Sequence, residues 1–279
     1  MMAKKKPAKY KRFAPPEGEA KVLIFDIETA PILAHVWGLW DNNVGLNQMM
    51  SDWHVMSWSA KWRKAPESEV MYMDQRNAKD VQDDKAILKE IWELLNEADV
   101  VITQNGKRFD QRKLNARFVE HGFGPTSSFK HIDTKIIAQK HFDFPSYKLE
   151  YMTNKFCKKY KKLKHKKYPG HEMWTECLKG NVEAWNEMEE YNKHDVLALE
   201  ELYFILVPWD SSINLNLYHD EEKHICHCGS EEHIKNGFYY TNMGQFQRYK
   251  CKSCGAETRG RHNLFSVEKR DSLQQGTVR

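Results

Sequence analysis

The chain has 279 residues and a mass of 33.0 kDa, enough for one full-sized core and a small accessory module. With 41% hydrophobic and 12% aromatic residues, a mean hydropathy of -0.76 and no apolar run of membrane-spanning length, it reads as a packed globular chain rather than a membrane-dominated one. The net charge of +4 is modest but unevenly spread, and the lysine-bearing N-terminus lacks the apolar stretch of a secretory signal, so a cytoplasmic protein is expected.

Residues 1–19 hold six cations and two adjacent prolines with little to bury, and are expected to form a disordered basic arm. Lys21 to Thr29, KVLIFDIET, then gives an unbroken apolar run suited to a strand buried on both faces. Asp26 and Glu28 end it. They project from one face, roughly 6.6 Å apart at the Cα atoms, a spacing that suits hard oxygen ligation of Mg²⁺ or Mn²⁺. Taken alone, the stretch reads equally as a strand end capped by solvated acids.

Ala34 to Trp40, His54 to Trp62 and Val70 to Met73 are expected as strands that extend the sheet with antiparallel neighbours. The tryptophans Trp37, Trp40, Trp53, Trp58 and Trp62 are assigned mostly to core or sheet-face packing, with base stacking as the alternative. Asp84 to Glu97 has helical spacing and Asp99 to Thr103 is a short strand, an α/β pattern. Asn105-Gly106 then makes a turn, and Asp110 lies in the first turn of the next helix.

Lys130 to Asp133 reads as a strand, with Asp133 or Thr134 as a structural cap for the helix that follows, and Lys148 to Phe156 as a further helix. Between Lys155 and Lys167 stand eight lysines and no acid. Lys158, Lys159, Lys161, Lys162, Lys164, Lys166 and Lys167 are therefore candidate nucleic-acid contacts, with Tyr160 and Tyr168 as stacking surfaces. Asn181 to Leu206 is a long amphipathic helix that ends before Pro208, and Tyr191 and Asp195 stand one turn apart on it.

Asp26-x-Glu28, Asp110 in NGKRFD and Tyr191-Asn-Lys-His-Asp195 occur in an order and spacing that resembles the DEDD superfamily of 3′→5′ exonucleases. Position 190 is Glu and position 191 Tyr, which resembles the tyrosine subclass; His194 points elsewhere on the helix and is read as a flanking residue. The lysine-rich insertion and the WTECLKGN segment are similar to phage and bacterial exonucleases of this kind, which would put a phage protein in the host cytoplasm.

The resemblance implies an RNase H-like α/β fold, a mixed sheet flanked by helices, over residues 20–208. It also implies two Mg²⁺ or Mn²⁺ ions, one held by Asp26, Glu28 and Asp195 and the other by Asp26 and Asp110. Tyr191 would orient the attacking water, a role that suits a phenol titrating near pH 10 when unperturbed. The implied substrate is the 3′ end of DNA, single-stranded first, with RNA as an alternative and Asn105 among the strand contacts. The rivals are a catalytically idle nucleic-acid-binding or recruitment protein, and an RNase H-like endonuclease or RNA-trimming enzyme.

After a polar linker at 209–222, residues 223–262 resemble a zinc ribbon of transposase type, with Cys226, Cys228, Cys251 and Cys254 as ligands of one structural Zn²⁺. Cys226-x-Cys228 is one residue short of the usual pair, so His224 or His227 stands as an alternative to Cys226. Arg248 and Lys250 are candidate nucleic-acid contacts on this module. Residues 263–279 are expected as a disordered tail.

Overall fold

Alternating apolar and polar faces build a layered α/β unit over Lys21–Tyr203, which a second unit follows from Phe204 onward. The computed structural model describes residues 18–161, 163, 167–220 and 222–277. Most of the expected basic arm therefore lies outside the described residues, as do Lys162, Lys164 and Lys166.

The first unit is organised on a five-stranded mixed sheet. Its strands are β1 (Val22–Thr29), β4 (Val55–Trp62), β5 (Met71–Asp74), β6 (Val100–Thr103) and β7 (Lys130–Asp133), in the order β5-β4-β1-β6-β7. β1 pairs antiparallel with β4 and parallel with β6, so it lies at the centre, as its run of apolar residues requires. A hairpin of β2 (Leu33–Ala34) and β3 (Met49–Ser51) stands between β1 and β4.

The helices are α1 (Lys85–Glu97), α2 (Asp110–Glu120), α3 (Thr134–His141), α4 (Leu149–Phe156), α5 (Glu172–Leu178) and α6 (Val182–Leu206). On one sheet face Leu23, Phe25 and Ile27 join Trp58, Ala60 and Trp62 and the apolar stripes of α1 and α2 in the main core. The alternation of β1 puts Asp26 and Glu28 on the opposite face, with Ser59 and Ser57 opposite them on β4. α6 lies against that face: Asn192 accepts from Ser57 Oγ at 3.4 Å, and Lys61 is ion-paired with Glu200 at 2.8 Å. A second apolar cluster, including Met56, Met173, Cys177, Trp185, Met188 and Tyr191, seats α5 and the first half of α6.

Two expectations change. Of the stretch Ala34 to Trp40 expected as a strand only Ala34 pairs with another strand, joined by Leu33 just before it, and Trp37 and Trp40 are exposed while Trp58 and Trp62 are core. The WTECLKGN segment, to which no element is assigned from sequence, begins inside α5, whose first turn has no side-chain cap. The tail expected to be disordered carries α7 (Val267–Asp271), capped by Ser266 Oγ, which accepts from the Lys269 amide at 3.1 Å.

In the second unit β8 (His233–Thr241), β9 (Gly244–Cys251) and β10 (Glu257–Asn263) form a three-stranded antiparallel sheet. Part of the expected linker belongs to this unit: Leu215 is buried in a 3₁₀ turn, and its amide donates to the His227 carbonyl at 2.9 Å.

Candidate active site

β1 presents Asp26 and Glu28 to α6, where Tyr191 and Asp195 occupy successive turns of the inward stripe. Oxygen atoms of Asp26, Glu28 and Asp195 lie within 4.8 Å of one another. Three carboxylates at that separation repel one another unless a cation lies among them, and their hard oxygen donors match Mg²⁺ or Mn²⁺ rather than a soft metal.

Asp110 stands beside this group rather than inside it. Its Oδ1 accepts from the Ile27 amide at 3.2 Å, so α2 begins against the peptide between the two β1 acids. Burial pushes its carboxyl up to about 7, with the charge of Asp133 adding to the rise. A buried acid this reluctant to ionise gains most from a neighbouring cation.

The turn that aims Asp110 depends on two residues. Asn105 adopts a left-handed φ of 66°, and a Cβ on Gly106 would fall 2.2 Å from Thr103 Oγ1. Asp133 caps α3 and also accepts from the amides of Asn105 and Lys107 at 2.9 and 3.2 Å, so its expected structural role extends to this turn. The Asn105 side chain, expected among the strand contacts, accepts from Lys135 Nζ at 3.2 Å. In the same layer, burial pulls His131 down to about 4, and its two nitrogens lie 2.7 Å from Thr103 Oγ1 and 2.8 Å from Gln111 Oε1.

Two further side chains touch the carboxylates. Asn192 Nδ2 donates to Asp26 Oδ2 at 2.8 Å, and Trp174 Nε1 donates to Glu28 Oε2 at 3.2 Å. The Trp174 ring also meets that of Tyr191 edge to face, with centroids 6.2 Å apart. Their sequence context hints at neither role, except that Asn192 follows Tyr191. Trp174, Trp53, Lys113, His171 and the residues Thr29 to Ile32 line an open groove of about 490 Å³ beginning next to Glu28. Lys113 Nζ stands 3.6 Å above the Trp53 ring.

The described lysines of the basic stretch are anchored by the outer side of α6. The amides of Lys158, Lys159 and Tyr160 all donate to the Glu201 carboxylate, Lys159 is ion-paired with Glu67, and Lys167 with Glu183. His194 faces this stretch and not the carboxylates, with its ring against that of Tyr160 at 5.5 Å. Lys158, Lys159, Lys161 and Lys167 are exposed.

In the second unit the four sulfur atoms of Cys226, Cys228, Cys251 and Cys254 also lie within 4.8 Å of one another. The Cys226–Cys254 and Cys228–Cys251 separations are 3.7 and 3.8 Å, too long for disulfides and close to the roughly 3.8 Å edge of a tetrahedron with zinc–sulfur arms of about 2.3 Å. Burial pushes Cys254 up to about 12, whereas at Cys251 the backbone amides of Cys254 and Ser253 outweigh burial and pull it down to about 7. His227 Nε2 lies 3.0 Å from the Val207 carbonyl and its Nδ1 3.8 Å from Cys226 Sγ, while the His224 ring lies against that of Tyr249. Arg248 donates to the Asn236 carbonyl at 2.7 Å and lies 3.5 Å from Glu257, and Lys250 is exposed.

A family model described as the RNase H superfamily matches residues 61–207, more than half of the chain, and includes Asp110, Tyr191 and Asp195. Among solved structures the chain is similar to the family B DNA polymerase from the hyperthermophilic archaeon Pyrobaculum calidifontis. The identity is 16% and the TM-score 0.44, over 71% of this chain and 26% of the polymerase chain, so the match spans about a quarter of that protein's length. No curated relative matches.

Proposed function

The chain belongs to the RNase H superfamily, and we propose that it is a metal-dependent 3′→5′ exonuclease acting on nucleic-acid ends, single-stranded DNA first among them. The observation that carries this reading is the convergence of Asp26, Glu28 and Asp195 within 4.8 Å on β1 and α6, with Tyr191 on the same helix and Asp110 bonded to β1 from the start of α2. Asp26, Glu28, Asp110 and Asp195 are the residues that would hold two Mg²⁺ or Mn²⁺ ions. When bound, such ions stabilise charge developing on the phosphoryl oxygens and favour in-line displacement.

The chain's own contribution is placement. Asn192 fixes the rotamer of Asp26, and Trp174 fixes that of Glu28, so the two acids meet the substrate already oriented. Tyr191, held by the Trp174 ring, orients the attacking water through its hydroxyl. The exposed lysines along α6 hold the strand by its phosphates, and the second unit offers phosphate contacts of its own at Arg248 and Lys250. In that second unit Cys226, Cys228, Cys251 and Cys254 would hold one Zn²⁺, which would secure a three-stranded ribbon too small to build a large core.

Incubation of the full chain with 3′- and 5′-labelled oligonucleotides and Mg²⁺ or Mn²⁺ tests this reading. Stepwise shortening from the 3′ end, abolished by Asp26→Asn, is expected. Internal cuts would make the protein an endonuclease. Absence of Asp26-dependent cleavage of DNA and RNA alike would leave an idle binding protein.

A further inference from the structure

The hairpin from Leu33 to Ser51 presents its apolar side chains to solvent. Trp37 is 101% exposed, Leu39 88%, Trp40 86%, Leu46 86% and Met50 66%. Single exposed apolar residues need no explanation, but a contiguous set on one projecting element marks a surface that something else covers. The hairpin does not get its shape by burying them. His35 N donates to the Gln48 carbonyl at 2.9 Å, Gln48 Nε2 to the His35 carbonyl at 2.9 Å, and Asn42 Nδ2 to the Gly38 carbonyl at 2.6 Å. Polar bonds close the loop and leave both indoles exposed.

Its place in the fold identifies what covers it. The hairpin leaves the sheet at Leu33, just after Glu28 and the Thr29–Ile32 wall of the groove, and returns at Ser51, just before Trp53 on the same groove. That groove joins aromatic faces to a cation, with Lys113 Nζ 3.6 Å over Trp53 and Trp174 bonded to Glu28. Aromatic rings beside a cation, running away from a carboxylate cluster, match the alternation of base and phosphate along a strand. The hairpin itself holds a single acid, Asp41, and no lysine or arginine, so it offers stacking faces for bases and leaves phosphate neutralisation to Lys113 and its surroundings.

We propose that the Leu33–Ser51 hairpin is a stacking platform for single-stranded nucleic acid, with Trp37 and Trp40 taking bases several nucleotides from the end that lies at Asp26, Glu28 and Asp195. It deepens the nuclease reading and rests on it. On this proposal a strand ending at the carboxylates must run past the Thr29–Ile32 wall of the groove before it meets the hairpin, so a strand of a few nucleotides is held by the groove alone.

The test compares the full chain with Trp37→Ala/Trp40→Ala and Trp37→Phe/Trp40→Phe, using 5′-fluorescein oligothymidylates of roughly twelve and roughly three nucleotides in buffer without added divalent ion. Affinity is read by anisotropy and folding by melting temperature. The alanine pair is expected to lose about tenfold or more in affinity for the longer strand, to keep its melting temperature, and to match the unsubstituted chain on the shorter one; the phenylalanine pair retains most of the affinity.

Unchanged affinity for the longer strand overturns the proposal. So does an equal loss on both strands, or self-association of the unsubstituted chain that the alanine pair abolishes, which would make the occupant a second copy. Hydrolysis of the same oligonucleotides by the unsubstituted chain with Mn²⁺ is followed in parallel. Length-dependent loss of binding without any hydrolysis would sustain the platform and defeat the nuclease reading.

Discussion

An ionised Asp110 in the metal-free protein would be a negative charge 2% exposed, and this tension has a measurable sign. The folded carboxyl titrates near 7 instead of 3.8, so the native state holds a proton that the unfolded chain releases between those values. Its contribution to stability is therefore lost as pH rises from about 4 through about 7. Asp110→Asn keeps an oxygen for the Ile27 amide and removes the charge. The metal-free variant should be more stable than the unsubstituted chain at about pH 8, by on the order of 1 to 4 kcal/mol, and equal to it near pH 4. Adding Mn²⁺ at the higher pH should stabilise the unsubstituted chain more than the variant, which keeps Asp26, Glu28 and Asp195, and only the variant should have lost phosphodiester cleavage; urea titrations at the two pH values check the first part. At this scale the sequence points to Asp26, Glu28, Asp110, Tyr191 and Asp195 because their motifs are local. It is silent on Asn192 and Trp174, whose contacts with Asp26 and Glu28 bridge 166 and 146 positions of chain and follow only from packing.

Among the elements, α6 and β4 are tied by a buried ion pair. Lys61 and Glu200 side chains are 3% and 16% exposed and 2.8 Å apart. Removing one partner leaves a buried charge, so Glu200→Ala should cost about 3 to 5 kcal/mol, whereas the double change Lys61→Met/Glu200→Leu should be close to neutral or stabilising. Denaturant unfolding of the three proteins measures the difference. A loss from the double change as large as from the single one would show that the pair itself, and not the stranded charge, holds the helix. The long elements were legible: β1, α1 and α6 fall where apolar runs and helical stripes put them. α5 and the β2–β3 hairpin were not. The former packs Met173 and Cys177 against Trp185 and Met188 without capping signals of its own, and the latter alternates like a strand yet has partners at only two positions. Tertiary context overrides propensity most readily in such short segments.

For the whole molecule, the division at Tyr203 predicts that the two units respond separately to loss of metal. Chelation of the full chain should release about one Zn²⁺ per chain and open residues 223–262 to protease. Tryptophan emission should change little, because eight of the nine tryptophans lie in the first unit, with Trp58, Trp62 and Trp185 in its core, and Trp209 alone falls in the second. Stoichiometric zinc absent from the purified protein would defeat the assignment, and so would proteolysis that starts in the sheet unit. The sequence by itself determined the two-part organisation, the central apolar strand with its paired acids, and the four clustered cysteines, because each is written in neighbouring residues. Only the tertiary structure decided that Asp110 lies beside the carboxylate cluster, that the four cysteine sulfurs converge within 4.8 Å, and that Trp37 and Trp40 face solvent. The physical reason is shared by all three: periodicity tells a residue which face of its own element it occupies, but what it meets there is fixed by how strands and helices distant in sequence pack.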